Sequence, residues 1–289
     1  MLYKRNYIKN STPIFTPPKG NKPRPAFIQY AIKKAKETDV ARGAIHYIIK
    51  PKDPKTGEFL HRERRLNEHR ACAMRAMVQA MLYHFNLSSE IVQASVEQLS
   101  DECGLSTTSQ AGNKSITRAS RLITHFMEPM GFVKSEKKWD PVLRNYMPKM
   151  ISLTPLFFML FDISSERLYN ARIQQLGWIN KNLLEKGFKK ISFVEAKQRS
   201  IDARIRSILK YRESKHLFFK KKRKAEKMFS LEEKEAKQKI LTFLVKRYSL
   251  SELGKMGLQG LKKQVNTEYY YLKKLITTPY KEFYSKQKN

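Results

Sequence analysis

At 289 residues with 41% hydrophobic side chains, the chain has a globular composition and the length for two modest domains. Its 58 lysines and arginines against 26 acids give a formal charge of +32, which implies a polyanionic partner: DNA, RNA or an anionic membrane. No stretch approaches the roughly 18 consecutive apolar residues of a spanning helix, and the opening MLYKRNYIKNSTPIF has no apolar signal-peptide core, so a membrane span is excluded and the cytoplasm expected.

Residues 1–25 hold Pro13, Pro17, Pro18, Pro23 and Pro25, which exclude a helix and predict an extended basic arm, either tracking a phosphate backbone or doing little. Ala26–Glu37 reads as a short helix and Ala44–Ile49 as a strand, with a hairpin turn over Lys50–Phe59. From Leu66 to Phe85, Met74, Met77, Val78, Met81, Leu82 and Phe85 recur at helical spacing while Arg62, Arg64, Arg65, Arg70 and Arg75 stay off that stripe, as in the first long helix of a core.

The stretch Ser95–Thr154 has the pattern of a DNA-reading module. Val96, Leu99 and Cys103 line one face of a short helix that Gly104 ends, with Leu105 folding back onto the same face. A polar loop over Ser106–Lys114 precedes a longer helix, Ser115–Met130, whose buried stripe is Ile116, Ala119, Ile123, Phe126, Met127 and Met130. Its other face presents Lys114, Arg118, Arg121 and His125 among Ser115, Thr117, Ser120 and Thr124. Such side chains suit base edges and phosphates; Arg118 and Arg121 are expected nearest the bases, Lys114 and Thr117 toward the backbone. Extended runs at Phe132–Lys134 and Tyr146–Leu153 then predict a basic hairpin, with Pro148 on an edge strand and Lys137, Lys138, Arg144 and Lys149 beside the duplex. The sum is a winged helix-turn-helix; a plain helical pair with solvated charges is the other reading of the spacing.

Beyond the apolar run Thr154–Asp162, Ser164 or Ser165 caps a helix carrying Leu168, Ala171, Ile179 and Leu183 and ending at Gly187. Residues 189–227 are strongly basic around the stripe Ile201, Ile205, Ile208 and Leu209, and include Lys220, Lys221, Lys222, Arg223 and Lys224 after Phe218 and Phe219. That much like charge points to a phosphate polymer, with a membrane surface and a solvated face as alternatives. Ser230 and Glu233 have capping-box spacing ahead of a helix with Ala236, Ile240 and Leu244. A last helical pattern, Leu250–Ile276, is interrupted by Gly254, Gly257 and Gly260 and leaves open a second helix-turn-helix or second winged helix.

Chemistry is absent from this pattern. There is no phosphate-cradling G-x-x-x-x-G-K-[ST], no close histidine pair beside a tyrosine for strand nicking, and no cluster of acids for two metals. The six histidines are scattered, and Cys72 and Cys103 read as small core residues, so no metal, cofactor or catalytic residue is expected.

Several segments carry a resemblance: NSTPIFTPPKG at Asn10–Gly20, ECGL at Glu102–Leu105, AGNKSITRASR at Ala111–Arg121 and WDPVLRNYMPKMISLT at Trp139–Thr154, with a weaker trace in ILTFLVKRYSLSEL at Ile240–Leu253. In these the chain resembles the RepA replication initiators of IncFII-type plasmids. The resemblance implies a protein that binds double-stranded plasmid origin DNA, helps open it with the host initiator DnaA, brings in the host replicative helicase, and sets copy number by its amount. The expected fold is mainly α with small β-hairpins (α+β): an arm over 1–25, a winged-helix domain over 26–164 and a basic helical domain over 165–289, with a homodimer left open. A winged-helix transcription regulator with no initiation role is the alternative function.

Overall fold

The computed structural model describes residues 10–18, 20, 23–62, 64–110, 113–137, 139–140, 144–147, 149–280 and 283. They group into two compact units, Met1–Arg204 and Ile205–Asn289.

The first unit is built on two helices that pack against each other. α1, Ala26–Glu37, buries Ile28, Ala31 and Ala35, and ends where its last basic residues, Lys34 and Lys36, complement the carbonyl end of the helix. The predicted strand at Ala44–Ile49 is instead a helical turn, α2, over Ile45–Ile48. The β-branched pattern yields there to His46, whose half-buried ring stacks on Phe126, meets the edge of Phe132 and bonds the Val40 carbonyl at 2.8 Å. The predicted turn follows, pinned by a bridge between Lys52 and Phe59. α3, Glu68–Tyr83, is capped by Asn67, whose side chain accepts from the Arg70 amide, and is the spine of the core: Met74, Met77, Val78, Met81 and Leu82 are all buried.

Short strands β1, Phe85–Asn86, and β2, Ile91–Val92, form a tight hairpin before α4, Val96–Glu102. Gly104 ends α4 at φ 64°, the left-handed conformation expected of it, and Leu105 is buried. The predicted polar loop is a second hairpin, β3 (Thr107–Thr108) against β4 (Lys114–Ser115), so Lys114 lies on a strand and not on a helix. The next helix starts later than its pattern suggests: α5 is Thr117–Leu122, followed by a wider π-helical turn over Ile123–Met127 in which the Glu128 amide reaches back to the Ile123 carbonyl. That extra width lets Ile123, Phe126, Met127 and Met130 all stay buried up to Gly131, at φ 72°.

β5 (Val133–Glu136) leads out to a small ladder, β6 (Trp139–Asp140) with β7 (Asn145–Tyr146), and β8 (Met150–Leu153) returns along β5 in the register Val133↔Leu153 to Glu136↔Met150. β8 also pairs with β2 through Ile91↔Ser152, which makes one sheet of order β1-β2-β8-β5. The expected edge proline, Pro148, lies outside the described residues. α6, Pro155–Met159, plants Phe157 and Phe158 in the core against Phe161 and Phe85. α7, Ser165–Glu185, is capped by Ser164 and followed by Gly187 at φ 77°. Arg172 of α7 reaches Glu90 at 2.7 Å, and Ser200 and Arg204 of α8, Phe193–Phe229, bond Gln93, which ties residues 165–204 to the first unit.

In the second unit α9, Glu233–Arg247, and α10, Leu250–Thr277, pack through Ala236, Ile240, Leu244, Val265 and Tyr269. The capping box predicted at Ser230 and Glu233 is not formed: α8 runs through Phe229, Ser230 donates back to the Lys227 carbonyl, and Glu232 becomes the N-cap. A capping box does form at Ser249 and Glu252. Of the three glycines in α10, Gly257 alone leaves helical geometry, at φ 60° and ψ 178°. Among the described residues no strand follows Leu153, so a second winged helix has no strands to form its wing there.

Candidate nucleic-acid interface

The start of α5 faces a groove of about 380 Å³, whose walls include Asn67, His69, Arg70, Ser115, Thr117 and Arg121. Arg118 lines it too. This side chain is half-buried and aimed inward: Nη1 donates to the Asn10 carbonyl at 2.5 Å and Nη2 to the His69 carbonyl at 2.8 Å. Burial holds its guanidinium below the usual arginine range without threatening its charge. Asn10 in turn donates from Nδ2 to the Gly104 carbonyl at 3.1 Å, and the Thr16 amide bonds Glu102 at 2.9 Å. Pro13 is buried, Phe15 meets Tyr83, and Arg24 lies over the same ring. Residues 10–18 of the arm, neither helix nor strand and bent at Ser11 and Thr12, are laced to α3, α4 and α5.

Lys114 is also engaged, with Glu97 at 2.8 Å and Asp101 at 2.6 Å, both on α4. It fixes the β3–β4 hairpin to the helix before it. Thr124 turns its hydroxyl onto the Ser120 carbonyl. What stays on the surface is Ser115, whose hydroxyl meets that of Thr117, together with Arg121 and, within the π-helical turn, His125. Among the described residues no acid lines the groove. Glu68, at the start of α3, is held down to about 2 by Arg75, with Arg42 and the Cys72 thiol adding to it. On the β5–β8 hairpin Lys137 and Arg144 are exposed, Lys138 lies outside the described residues, and Lys149 is half-buried beside Glu128 at 3.4 Å.

This chain matches the model of the IncFII RepA protein family over residues 3–277. It belongs to that family. Among curated proteins, it is 66% identical over 280 residues to a probable replication-associated protein repA1 of Buchnera aphidicola subsp. Schizaphis graminum, a match covering 97% of this chain and 99% of the relative. A probable replication-associated protein repA2 of the same organism is 51% identical over 272 residues, 94% of this chain and 97% of its own. A replication initiation protein of Escherichia coli is 29% identical over 191 residues, 65% of this chain and 64% of that protein. No solved structure matches the chain.

In the second unit of this RepA-family chain, Lys220, Lys221, Arg223 and Lys224 are exposed on α8, and Lys222 is half-buried between the buried Phe218 and Ala225. Among the described residues no helix is long and apolar enough to cross a membrane, and no group of three or more His, Cys, Asp or Glu could hold a metal ion. Residue spacing brought Ser115, Thr117, Arg118 and Arg121 to one place. It missed Asn10, His69 and Arg70, which line the same groove from the arm and the start of α3. The signal for the arm was present in the block NSTPIF, and Arg70 was visible as a cation off the apolar stripe of α3.

Proposed function

We propose that this chain initiates replication of the plasmid that carries it, reading double-stranded origin DNA with a winged helix made of α3, α4, α5 and the β5–β8 hairpin. Membership of the IncFII RepA family across residues 3–277 carries the replication half of this reading. The DNA half is supported by the order helix, hairpin, helix, hairpin, helix, hairpin from α3 to β8, by the pairing of β8 with β2, and by the exposed Arg121 of α5 with the hydroxyls of Ser115 and Thr117 at its start. α5 enters the major groove. Arg121 reads base edges, with Ser115 and Thr117 beside it, and Lys137 and Arg144 meet the phosphate backbone. The exposed lysines of α8 add affinity that does not depend on sequence. The protein then deforms the origin and recruits DnaA and the replicative helicase, as the family resemblance implies, so that its amount sets copy number.

Footprinting on DNA next to the coding region, followed by competition binding, tests the reading. A bidentate arginine contributes about 1–3 kcal/mol of base discrimination, so Arg121→Ala should lower preference for the footprinted site by roughly 5- to 150-fold. Full preference retained in that variant would remove α5 from the interface. Deleting the gene should abolish maintenance of its plasmid; a plasmid that persists would favour a transcription regulator.

A further inference from the structure

Trp139 and Tyr146 oppose each other across β6 and β7, with ring centroids 4.9 Å apart and planes at 73°. Cross-strand aromatic pairs ordinarily stabilise a sheet by packing. Here Trp139 is 50% exposed and Tyr146 54% exposed, so about half of each residue's surface remains in water. The indole of Trp139 therefore keeps π surface open to solvent beside the Tyr146 ring. The setting is basic: residues 134–149 contain Lys134, Lys137, Lys138, Arg144 and Lys149 against Glu136 and Asp140. Exposed aromatics among cations are the two components of a surface for unpaired nucleic acid, one for base faces and the other for phosphates.

We propose that the Trp139–Tyr146 pair is a base-stacking platform for single-stranded DNA. This rests on the origin-binding reading and adds a task to it: the tip holds bases that origin opening has unpaired. A duplex hides its base faces inside the stack, so it offers the platform nothing, whereas every unpaired base has a π face and any sequence can be held. α5 thereby reads the paired DNA, and the two rings of the hairpin take the unpaired DNA beside the basic residues that meet the duplex backbone.

The chain has two tryptophans, and Trp178, on α7, is itself 64% exposed, so Trp178→Phe leaves Trp139 as the one indole reporter in an otherwise intact protein. Oligo-dT should quench its emission strongly, and a duplex of the same length, including the footprinted origin duplex, far less, because a duplex meets the basic residues beside the indole and not its π face. Trp139→Ala should weaken oligo-dT binding by about 5- to 150-fold, from the usual worth of a stacked base, with Trp139→Phe recovering most of it. Emission unmoved by oligo-dT, in a protein that still prefers its origin duplex, would overturn the platform and leave the origin reading standing. So would an emission that only a protein partner moves. Loss of all preference for the origin duplex would overturn the reading beneath it.

Discussion

Arg118→Ala should destabilise the first unit, whereas Arg121→Ala should leave its stability unchanged, although the two arginines are only one helical turn apart. Arg118 gives two charge-assisted bonds to carbonyls, at 2.5 and 2.8 Å. Such bonds contribute about 1.5–3 kcal/mol each. The one to His69 is exposed to solvent and counts at or below the low end, so the pair stabilises by about 2–3 kcal/mol in all. For a unit of this size that is a fall of roughly 4–12 °C in melting temperature. Circular dichroism would record it. Hydrogen exchange would show where it originates, because the Thr16 amide, bonded to Glu102 at 2.9 Å, should lose protection when the arm is released. Arg118→Lys keeps the charge but not the fork that spans two carbonyls, and should recover less than half of the loss. Arg121 is exposed with no partner among the described residues, and its removal should change stability by less than about 0.5 kcal/mol. An Arg118→Ala protein that melts within about 1 °C of the parent, with Thr16 still protected, would refute the latch.

Three further outcomes follow from single side chains. His46 has its Nδ1 buried without a partner and its pKa lowered by burial from 6.5, so between that value and its folded pKa the unfolded chain binds the extra proton. Stability should therefore fall as pH drops below about 6.5, and the slope should be shallower in His46→Gln; equal slopes in denaturant titrations at pH 7 and pH 5 would exclude His46 as its source. Gly257→Ala meets no atom within 4 Å, but φ 60° with ψ 178° is open almost solely to glycine, so it should cost about 1–3 kcal/mol in thermal melts, while Gly254→Ala in the same helix should be neutral or slightly stabilising. The Cys103 thiol is pushed up to about 12 by burial, with the Glu102 charge adding to it; iodoacetamide at pH 8 should leave it unmodified in the native protein and label it after unfolding, and mass spectrometry would detect a native adduct.

The long amphipathic pieces were legible in the sequence because one periodicity governs each of them. α1 and α7 lie where their stripes and caps indicated, and Gly104 and Gly131 close their helices as expected. Local pattern failed where a distant contact decided the backbone. α2 is helical because His46 packs against Phe126 and Phe132, about eighty residues downstream. Lys114 left the helix face because Glu97 and Asp101 hold it to α4. Spacing correctly gathered Ser115, Thr117, Arg118 and Arg121, but a spacing rule cannot tell a guanidinium that points outward from one that fills its valence on neighbouring carbonyls. The Ser249 capping box was passed over for Ser230 because both sites have the same residue types at the same interval, and only the continuation of α8 through Phe229 distinguishes them.

The arm also has a consequence for the order of assembly. Asn10 is held by Gly104, 94 residues later, and by Arg118, 108 residues later. A growing chain exposes residues 10–18 well before α4 and α5 and cannot seat them until those helices have been made, so a segment synthesised early finds its place late. Its docking then serves as a report that the groove beside α5 is finished, and an interrupted chain that ends before Arg118 carries its arm loose.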